Sequence, residues 1–190
     1  KAIWRALGGV VEGAAVGMDW IKEVASLLAK HEKPLTWDSP SGFPVYHAYK
    51  DTGTRRVHTF LGRRKVALRV LEDKPQLLPH KQRSAAAPNV IHSLDAAHLH
   101  LTAAAMAAQG VTQLAMIHDS FGTAPGHVEA LAHTLRREFV GMYEGYDVFE
   151  ELHRRAMDAL PEEARPALPQ PPKRGSLDIR RVLESDYIFC

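Results

Sequence analysis

The chain has 190 residues, of which 45% are hydrophobic and 24% charged, an ordinary composition for a globular protein of one or two domains. Its formal net charge of +2, from 24 Lys and Arg against 22 Asp and Glu, is too even to indicate a nucleic-acid ligand by itself. The single cysteine, Cys190, excludes an intrachain disulfide bond and a cysteine-rich zinc site, and no apolar run has the length needed to span a bilayer.

The first predicted element is a helix over residues 1–30, whose apolar residues recur at three- and four-residue steps and form one core-facing stripe. Gly9, Gly13 and Gly17 share another face. Because glycine inside a helix costs roughly 0.5–1 kcal/mol relative to alanine, we expect a neighbouring element to pack closely there. The chain begins in helical register without a capping residue, so we expect it to be the carboxyl-terminal part of a longer polypeptide.

Two β segments are predicted next. Residues 33–50 contain three prolines and indicate a loop plus a short strand, with Pro44 favouring an edge position. Residues 54–72 predict a hairpin that turns near Gly62. This hairpin either contacts the phosphates of a nucleic acid or is a solvated edge whose charges discourage association of sheets. Its basic residues are Arg55, Arg56, Arg63, Arg64, Lys65 and Arg69.

A long helix is predicted over residues 81–109, after a proline-containing connector at 73–80. Pro88 lacks a backbone N–H, so we expect the helix to be interrupted near it. The helix is apolar over much of its surface and should be buried on several sides. His92 and Asp95, three residues apart, therefore need polar partners, and the residues alone favour a buried histidine paired with its carboxylate.

Residues 114–123, Leu-Ala-Met-Ile-His-Asp-Ser-Phe-Gly-Thr, predict a strand, a tight turn and a second strand. Gly110 precedes the apolar run, and Ala-Pro-Gly follows the second strand. Asp119 is then placed at the tip of a hairpin, on a rigid support, where a carboxylate suits Mg²⁺. The alternative is that Asp119 is only a turn residue, because aspartate is common in turns.

The remainder of the chain is predicted to be mainly helical. Amphipathic helices are expected over residues 125–144 and 147–160. Five prolines within residues 161–174 predict an extended surface strap. Ser176 is a candidate cap for a final short helical turn, and an apolar tail ends the chain.

Four colinear segments are distinctive when taken together. They are Ser-Pro-Ser-Gly-Phe-Pro-Val at 39–45, followed by Tyr49-Lys50; His-Lys-Gln at 80–82 with Ala-Pro-Asn-Val-Ile-His-Ser at 87–93 and Asp95; Ile-His-Asp-Ser-Phe-Gly-Thr at 117–123; and Leu-Glu-Ser-Asp-Tyr-Ile-Phe-Cys at 183–190. These segments resemble the single-subunit, bacteriophage-type DNA-directed RNA polymerases. Residues 117–123 resemble motif C of that family, and the second segment resembles the helix before motif C.

The resemblance implies roles for individual residues. Asp119 becomes the catalytic residue and a ligand of Mg²⁺ in a two-metal site, and the terminal Cys190 is expected close to the catalytic centre. His92 is expected to face the incoming nucleotide, and His118 to position the neighbouring aspartate or to contact the primer strand. The residues expected to bind substrate or nucleic acid are His92, His118, Arg55, Arg56, Arg63 and Arg64.

The same resemblance implies an α+β fold, in which helices pack around a small antiparallel palm hairpin beside a second, basic β-hairpin. Residues 1–80 are expected to form a fingers-side segment, and residues 81–190 a palm segment with the tail. The implied partners are a DNA template, an RNA product and NTPs, with an upstream polymerase segment or separate chain, and no membrane. The expected location is the cytoplasm of an infected bacterium, with a mitochondrial source as the alternative.

The chain contains no match to the family's motif A carboxylate, nor to the upstream lysine helix that meets the triphosphate. We therefore expect half an active site that cannot polymerise alone. Two other classes stay open, namely a non-catalytic nucleic-acid-binding remnant and a structural domain that complements another polypeptide. A family A DNA polymerase fragment is the nearest enzymatic rival, although Ser120 argues against it because that family has His-Asp-Glu at this turn.

Overall fold

Helices and short antiparallel hairpins make up the regular structure of residues 11–185 and 187–188, which are the part of the chain that the computed structural model describes. The α-helices are α1 (Glu12–Lys30), α2 (Pro79–Ala108), α3 (Val128–Gly145) and α4 (Val148–Ala159). The strands are β1 (Leu35–Asp38), β2 (Pro44–His47), β3 (Lys50–Leu61), β4 (Arg64–Leu77), β5 (Leu114–Ile117) and β6 (Ser120–Thr123). The expected mixture of helices and small antiparallel hairpins is confirmed.

The three hairpins are separate two-stranded sheets, β1–β2, β3–β4 and β5–β6. Strand β2 follows β1 through a tight turn in which Gly42 has a φ of +80°. The predicted basic hairpin is confirmed and is longer than expected, with Gly62 in the turn at a φ of +61°. Both strands of each sheet are edges, so Pro44 occupies the kind of position that proline tolerates.

One large core joins α1 and β1, early in the chain, to α2, α4 and the segment up to Leu168. Its central residues on α1 repeat at helical spacing, as the sequence pattern predicts, and Trp37 from β1 lies beside them. Helix α4 packs Leu152 and Ala156 into the same cluster. A smaller core lies under β5 and β6 and contains Met106, Val111, Leu131 and Leu135. Helix α2 runs through both cores, so it connects the large core to the hairpin that carries Asp119.

The expected interruption of the long helix is wrong, because α2 continues through Pro88. The proline ring is exposed, whereas Ala86, Ala87 and Val90 around it are completely buried. Tertiary packing therefore outweighs the loss of one helical hydrogen bond. The connector expected at 73–80 is also wrong, since β4 extends to Leu77 and the helix begins at Pro79.

The carboxyl-terminal part follows the predicted order with three corrections. Three residues of 3₁₀ helix, Pro125–His127, precede α3. The proline-rich segment is not uniformly extended, because Glu162–Ala167 forms a 3₁₀ helix and Leu168 is buried in the large core. The last short helix, Ile179–Glu184, is capped by Asp178 rather than by Ser176. None of the described helices combines the length and hydropathy that crossing a membrane requires.

Candidate active-site cleft

The hairpin β5–β6 places two side chains at its tip. Ile117 pairs with Ser120, so His118 and Asp119 form a two-residue turn between the strands. His118 has a φ of +54°, which is the left-handed conformation that such tight hairpin turns require. Both tip residues are exposed. The predicted hairpin with Asp119 at its apex is confirmed as a structure, while the catalytic role of Asp119 stays a prediction.

A cleft of about 620 Å³ separates this turn from α2. Asp119 and His118 line one side, and His92 and Asp95 line the other. The remaining lining residues, Ile91, Ala96 and Leu99, are apolar. Two histidines and two carboxylates from distant parts of the sequence therefore share one cavity, which is a common arrangement for a polar ligand site.

The two polar residues that α2 contributes to the cleft differ in their exposure to solvent. His92 is exposed, whereas Asp95 is half-buried. Burial and then the nearby Asp95 carboxylate raise the pKa of the Tyr143 hydroxyl on α3. The residues alone predicted a buried His92 paired with Asp95, and this interpretation is wrong because His92 is exposed. The position of Asp95 three residues after His92, on the same side of one helix, was the signal that could have placed it here.

The hairpin is supported from below by His98, which is 3% exposed. Its Nε2 donates to the Leu135 carbonyl at 2.9 Å, because a carbonyl oxygen can only accept. Its ring meets Phe121 of β6 and Phe139 of α3 in edge-to-face contacts at 5.7 and 5.5 Å. These contacts connect β6 to α2 and α3, so the turn with Asp119 rests on packed helices.

Asp119 can supply one oxygen ligand to a divalent cation. Within residues 11–185 and 187–188, no group of three His, Cys, Asp or Glu side chains is arranged to hold a metal ion. An exposed carboxylate nevertheless suits Mg²⁺, which keeps several waters and often takes only one or two protein carboxylates. The described residues therefore fit one ligand of a magnesium site, and other donors must complete it.

The predicted basic residues lie on the ribbon β3–β4 and do not line the cleft. Arg56 is paired across the ribbon with Arg69, and Lys65 lies on the same face opposite Phe60. Arg55 lies on the other face, where its Nε is 3.5 Å from a carboxylate oxygen of Glu72.

The other two predicted arginines are at the tip of the ribbon, Arg63 in the turn and Arg64 opposite Leu61. The structure thus brings His92, His118 and Asp119 together and leaves the four arginines on a separate surface. The last predicted site residue, Cys190, lies outside the described residues.

A carboxylate at the apex of a β-turn, across a cleft from His92 of α2, is the arrangement that the resemblance to the polymerase family leads us to expect. Residues 1–167 match the family model of DNA-dependent RNA polymerases, and the chain belongs to this family. It is 35% identical to the DNA-directed RNA polymerase of Enterobacteria phage T3 and 34% identical to the T7 RNA polymerase of Escherichia phage T7. All of the chain is covered in both matches, and it spans 23% of the length of each relative.

The similarity extends to plant enzymes. The chain is 35% identical to the chloroplastic/mitochondrial DNA-directed RNA polymerase 2B of Nicotiana tabacum, over all of the chain and 18% of that protein. The resemblance inferred from four short segments is therefore confirmed. Relatives from phages and from plant organelles match to a similar degree, so identity alone does not assign a source.

Proposed function

We propose that this chain forms one side of the catalytic centre of a DNA-directed RNA polymerase, which joins nucleotides from NTPs to an RNA product on a DNA template. The observation that carries the proposal is that Asp119, at the tip of β5–β6, opens into the same cleft as His92 and His118. Family membership supports the reaction class. On this proposal β5–β6 is the palm hairpin, and residues 1–80 form the fingers side.

Each polar residue of the cleft has a task in this proposal. Asp119 would hold catalytic Mg²⁺, which when bound would supply activation of the attacking 3′-oxygen and charge stabilisation for the departing pyrophosphate. His118 contacts the primer strand or orients the adjacent carboxylate. His92, exposed on the opposite wall, contacts the incoming nucleotide through an imidazole N–H. The apolar floor formed by Ile91 and Leu99 suits the face of a base or a ribose.

The basic ribbon adds a contact to the nucleic-acid backbone. Like charges directly opposite each other destabilise a sheet, so the Arg56–Arg69 pair costs stability unless an anion lies against it. Between the Thr54–Leu71 pair and the tip, which the structure describes completely, that face contains no acidic residue. Phosphates of the template or product provide the counter-charge, independently of sequence.

The proposed centre is incomplete within these 190 residues. Two carboxylates from different segments would normally hold the metal pair, and only Asp119 matches a family metal ligand here. We infer that the second carboxylate is supplied by an upstream polymerase segment or by a separate polymerase chain. A phage source places the enzyme in the cytoplasm of an infected bacterium, and an organellar source places it in mitochondria.

The proposal is tested by reconstitution. The 190-residue chain is expected to leave a primer on a DNA template unextended with Mg²⁺ and NTPs. Mixing it with a polypeptide that carries the preceding part of a phage-type polymerase should restore RNA synthesis. Asp119→Ala should abolish the restored synthesis, whereas Asp158→Ala, an exposed carboxylate on α4, should not. Primer extension by the isolated chain, or full synthesis with Asp119→Ala, would show that the proposal is wrong.

A further inference from the structure

The rotation of α2 about its own axis decides whether His92 points into the cleft. A slip of one residue rotates a helix by about 100° and moves it by about 1.5 Å along its axis. Between residues 85 and 108, α2 contains ten alanines, which at about 100° per residue cover one side of the helix, including the part that carries Asn89 and Ser93. Alanine side chains offer neighbours little shape with which to interdigitate, so apolar packing on that side discriminates weakly between neighbouring rotations. Polar contacts with defined partners discriminate better.

Strand β1 makes one such contact through Trp37. The indole Nε1 donates a hydrogen bond of 2.9 Å to the Ser93 hydroxyl, and Trp37 is only 1% exposed. The Ser93 hydroxyl in turn donates to the Val90 carbonyl at 2.7 Å. Because the indole N–H has a single direction and Ser93 adjoins His92, this bond defines where the helix surface next to His92 lies.

Strand β2 holds the helix at two further points through His47. Its Nε2 donates to the Gln82 carbonyl at 2.9 Å. Its Nδ1 accepts from the Asn89 side-chain amide at 3.1 Å, so the ring is neutral with its hydrogen on Nε2. Burial lowers the pKa of His47, which favours this neutral form. Asn89 also donates to the Tyr49 hydroxyl at 3.2 Å.

The three points held by the β1–β2 hairpin lie on one side of α2. At about 100° per residue, Gln82, Asn89 and Ser93 fall within about 40° of one another. His92 and the other cleft residues of α2 are centred about a quarter turn away. The hairpin therefore holds one side of the helix, and the adjacent side forms the wall of the cleft.

We propose that Trp37 and His47 are positioning residues that fix the rotation of α2 and thereby aim His92 into the cleft. The inference rests on the function proposed for His92. It adds that the β1–β2 hairpin, which does not line the cleft, determines the geometry of the nucleotide contact. Neither residue touches substrate in this account, and both act through the helix.

Histidine ring resonances in the 190-residue chain test the proposal, with and without bound Mn²⁺ as a relaxation probe for the Asp119 site. Trp37→Phe keeps an aromatic ring but removes the N–H together with part of the side-chain volume, and His47→Phe removes both hydrogen bonds of the His47 ring. In each variant we expect the His92 ring resonance to shift, and its relaxation by Mn²⁺ to change severalfold, because relaxation depends steeply on distance. Mn²⁺ binding itself should persist, since Asp119 is on another element.

A matched control separates positioning from general destabilisation. Leu152→Ala removes volume from the same large core without touching the three polar contacts, so it should lower stability and leave the His92 resonance in place. If either first variant fails to fold, Ser93→Ala removes the Trp37 bond and Asn89→Ala removes the bond to His47 Nδ1 from the helix side, while the bond from His47 to the Gln82 backbone carbonyl remains. An unchanged His92 resonance in folded variants of both contacts overturns the proposal.

The same spectra distinguish this failure from failure of the proposed function. If wild-type chain shows no Mn²⁺ effect at His92 and Asp119→Asn changes nothing, the metal role of Asp119 is wrong. The metal-free shift of His92 in Trp37→Phe and His47→Phe still decides the positioning role.

Discussion

Gly17 lies where α1 meets α4, and its missing side chain is what allows this contact. A Cβ built on Gly17 would lie 2.8 Å from Cζ of Phe149, which is closer than real Cβ atoms approach a neighbour. The Phe149 ring is held in turn by an edge-to-face contact with Trp20 at 5.5 Å. The close packing expected along the glycine face is therefore confirmed at Gly17. Gly13 has open space around it, so the expectation is wrong there.

Alanine substitutions at these two glycines should have opposite effects on stability. Gly17→Ala pushes against Phe149, and overpacking of a core typically costs about 1–3 kcal/mol, which exceeds the helical gain. Gly13→Ala meets nothing and should stabilise the chain by roughly 0.5–1 kcal/mol at most, through helix propensity. Urea unfolding of both variants measures the difference. A stabilised Gly17→Ala would mean that Phe149 moves away at no cost.

At the scale of elements, the ribbon β3–β4 shows what strand pairing adds to a cluster of charges. Six basic residues fall within fifteen positions of the sequence. The strand pattern on either side of Gly62 predicts a hairpin that turns there. Which of the basic residues share a face depends on register, because a slip of one residue moves every side chain to the opposite face. The observed register pairs Arg56 with Arg69 and leaves Arg55 beside Glu72.

Nucleic-acid binding should therefore depend more on Arg56 than on Arg55. Arg56→Gln removes a charge from the face without acids, so we expect weaker binding to a DNA duplex and a salt slope smaller by about 0.9. Arg55→Gln removes a charge that Glu72 already offsets and should change the slope less. Titrations at several salt concentrations measure both slopes. Equal losses of DNA affinity in the two variants would show that the nucleic acid does not prefer the Arg56 face of the ribbon to the Arg55 face.

The site and the fold were accessible from the sequence to different degrees. The hairpin around Asp119 could be predicted, because four apolar residues, a two-residue turn and flanking glycines constrain it locally. Its meeting with His92 depends on packing between α2, α3 and β6 and could be expected only through the family resemblance. Pro88 and the 3₁₀ helix Glu162–Ala167 were mispredicted because buried neighbours outweigh local preference there.

At the scale of the whole molecule, the large core is assembled from distant segments. Trp20, Val24 and Trp37 come from the first 80 residues, whereas Leu152 and Leu160 come from the last third of the chain. The Tyr146 hydroxyl donates to the Asp38 carbonyl at 2.6 Å, and Arg155 forms an ion pair with the Asp38 carboxylate. The division into segments 1–80 and 81–190 stays a prediction about function. Both segments contribute residues to the large core.

Unfolding should consequently be cooperative across that division. Leu152→Ala leaves a cavity in the core and should cost about 2–5 kcal/mol. Because the core contains both segments, tryptophan fluorescence and far-UV circular dichroism should shift together to lower urea. Leu177→Ala, at a leucine that is 71% exposed, is the matched control and should stay within about 0.5 kcal/mol of wild type. Two separate transitions, with only one of them moved by Leu152→Ala, would instead establish that residues 1–80 and 81–190 are independently folded domains.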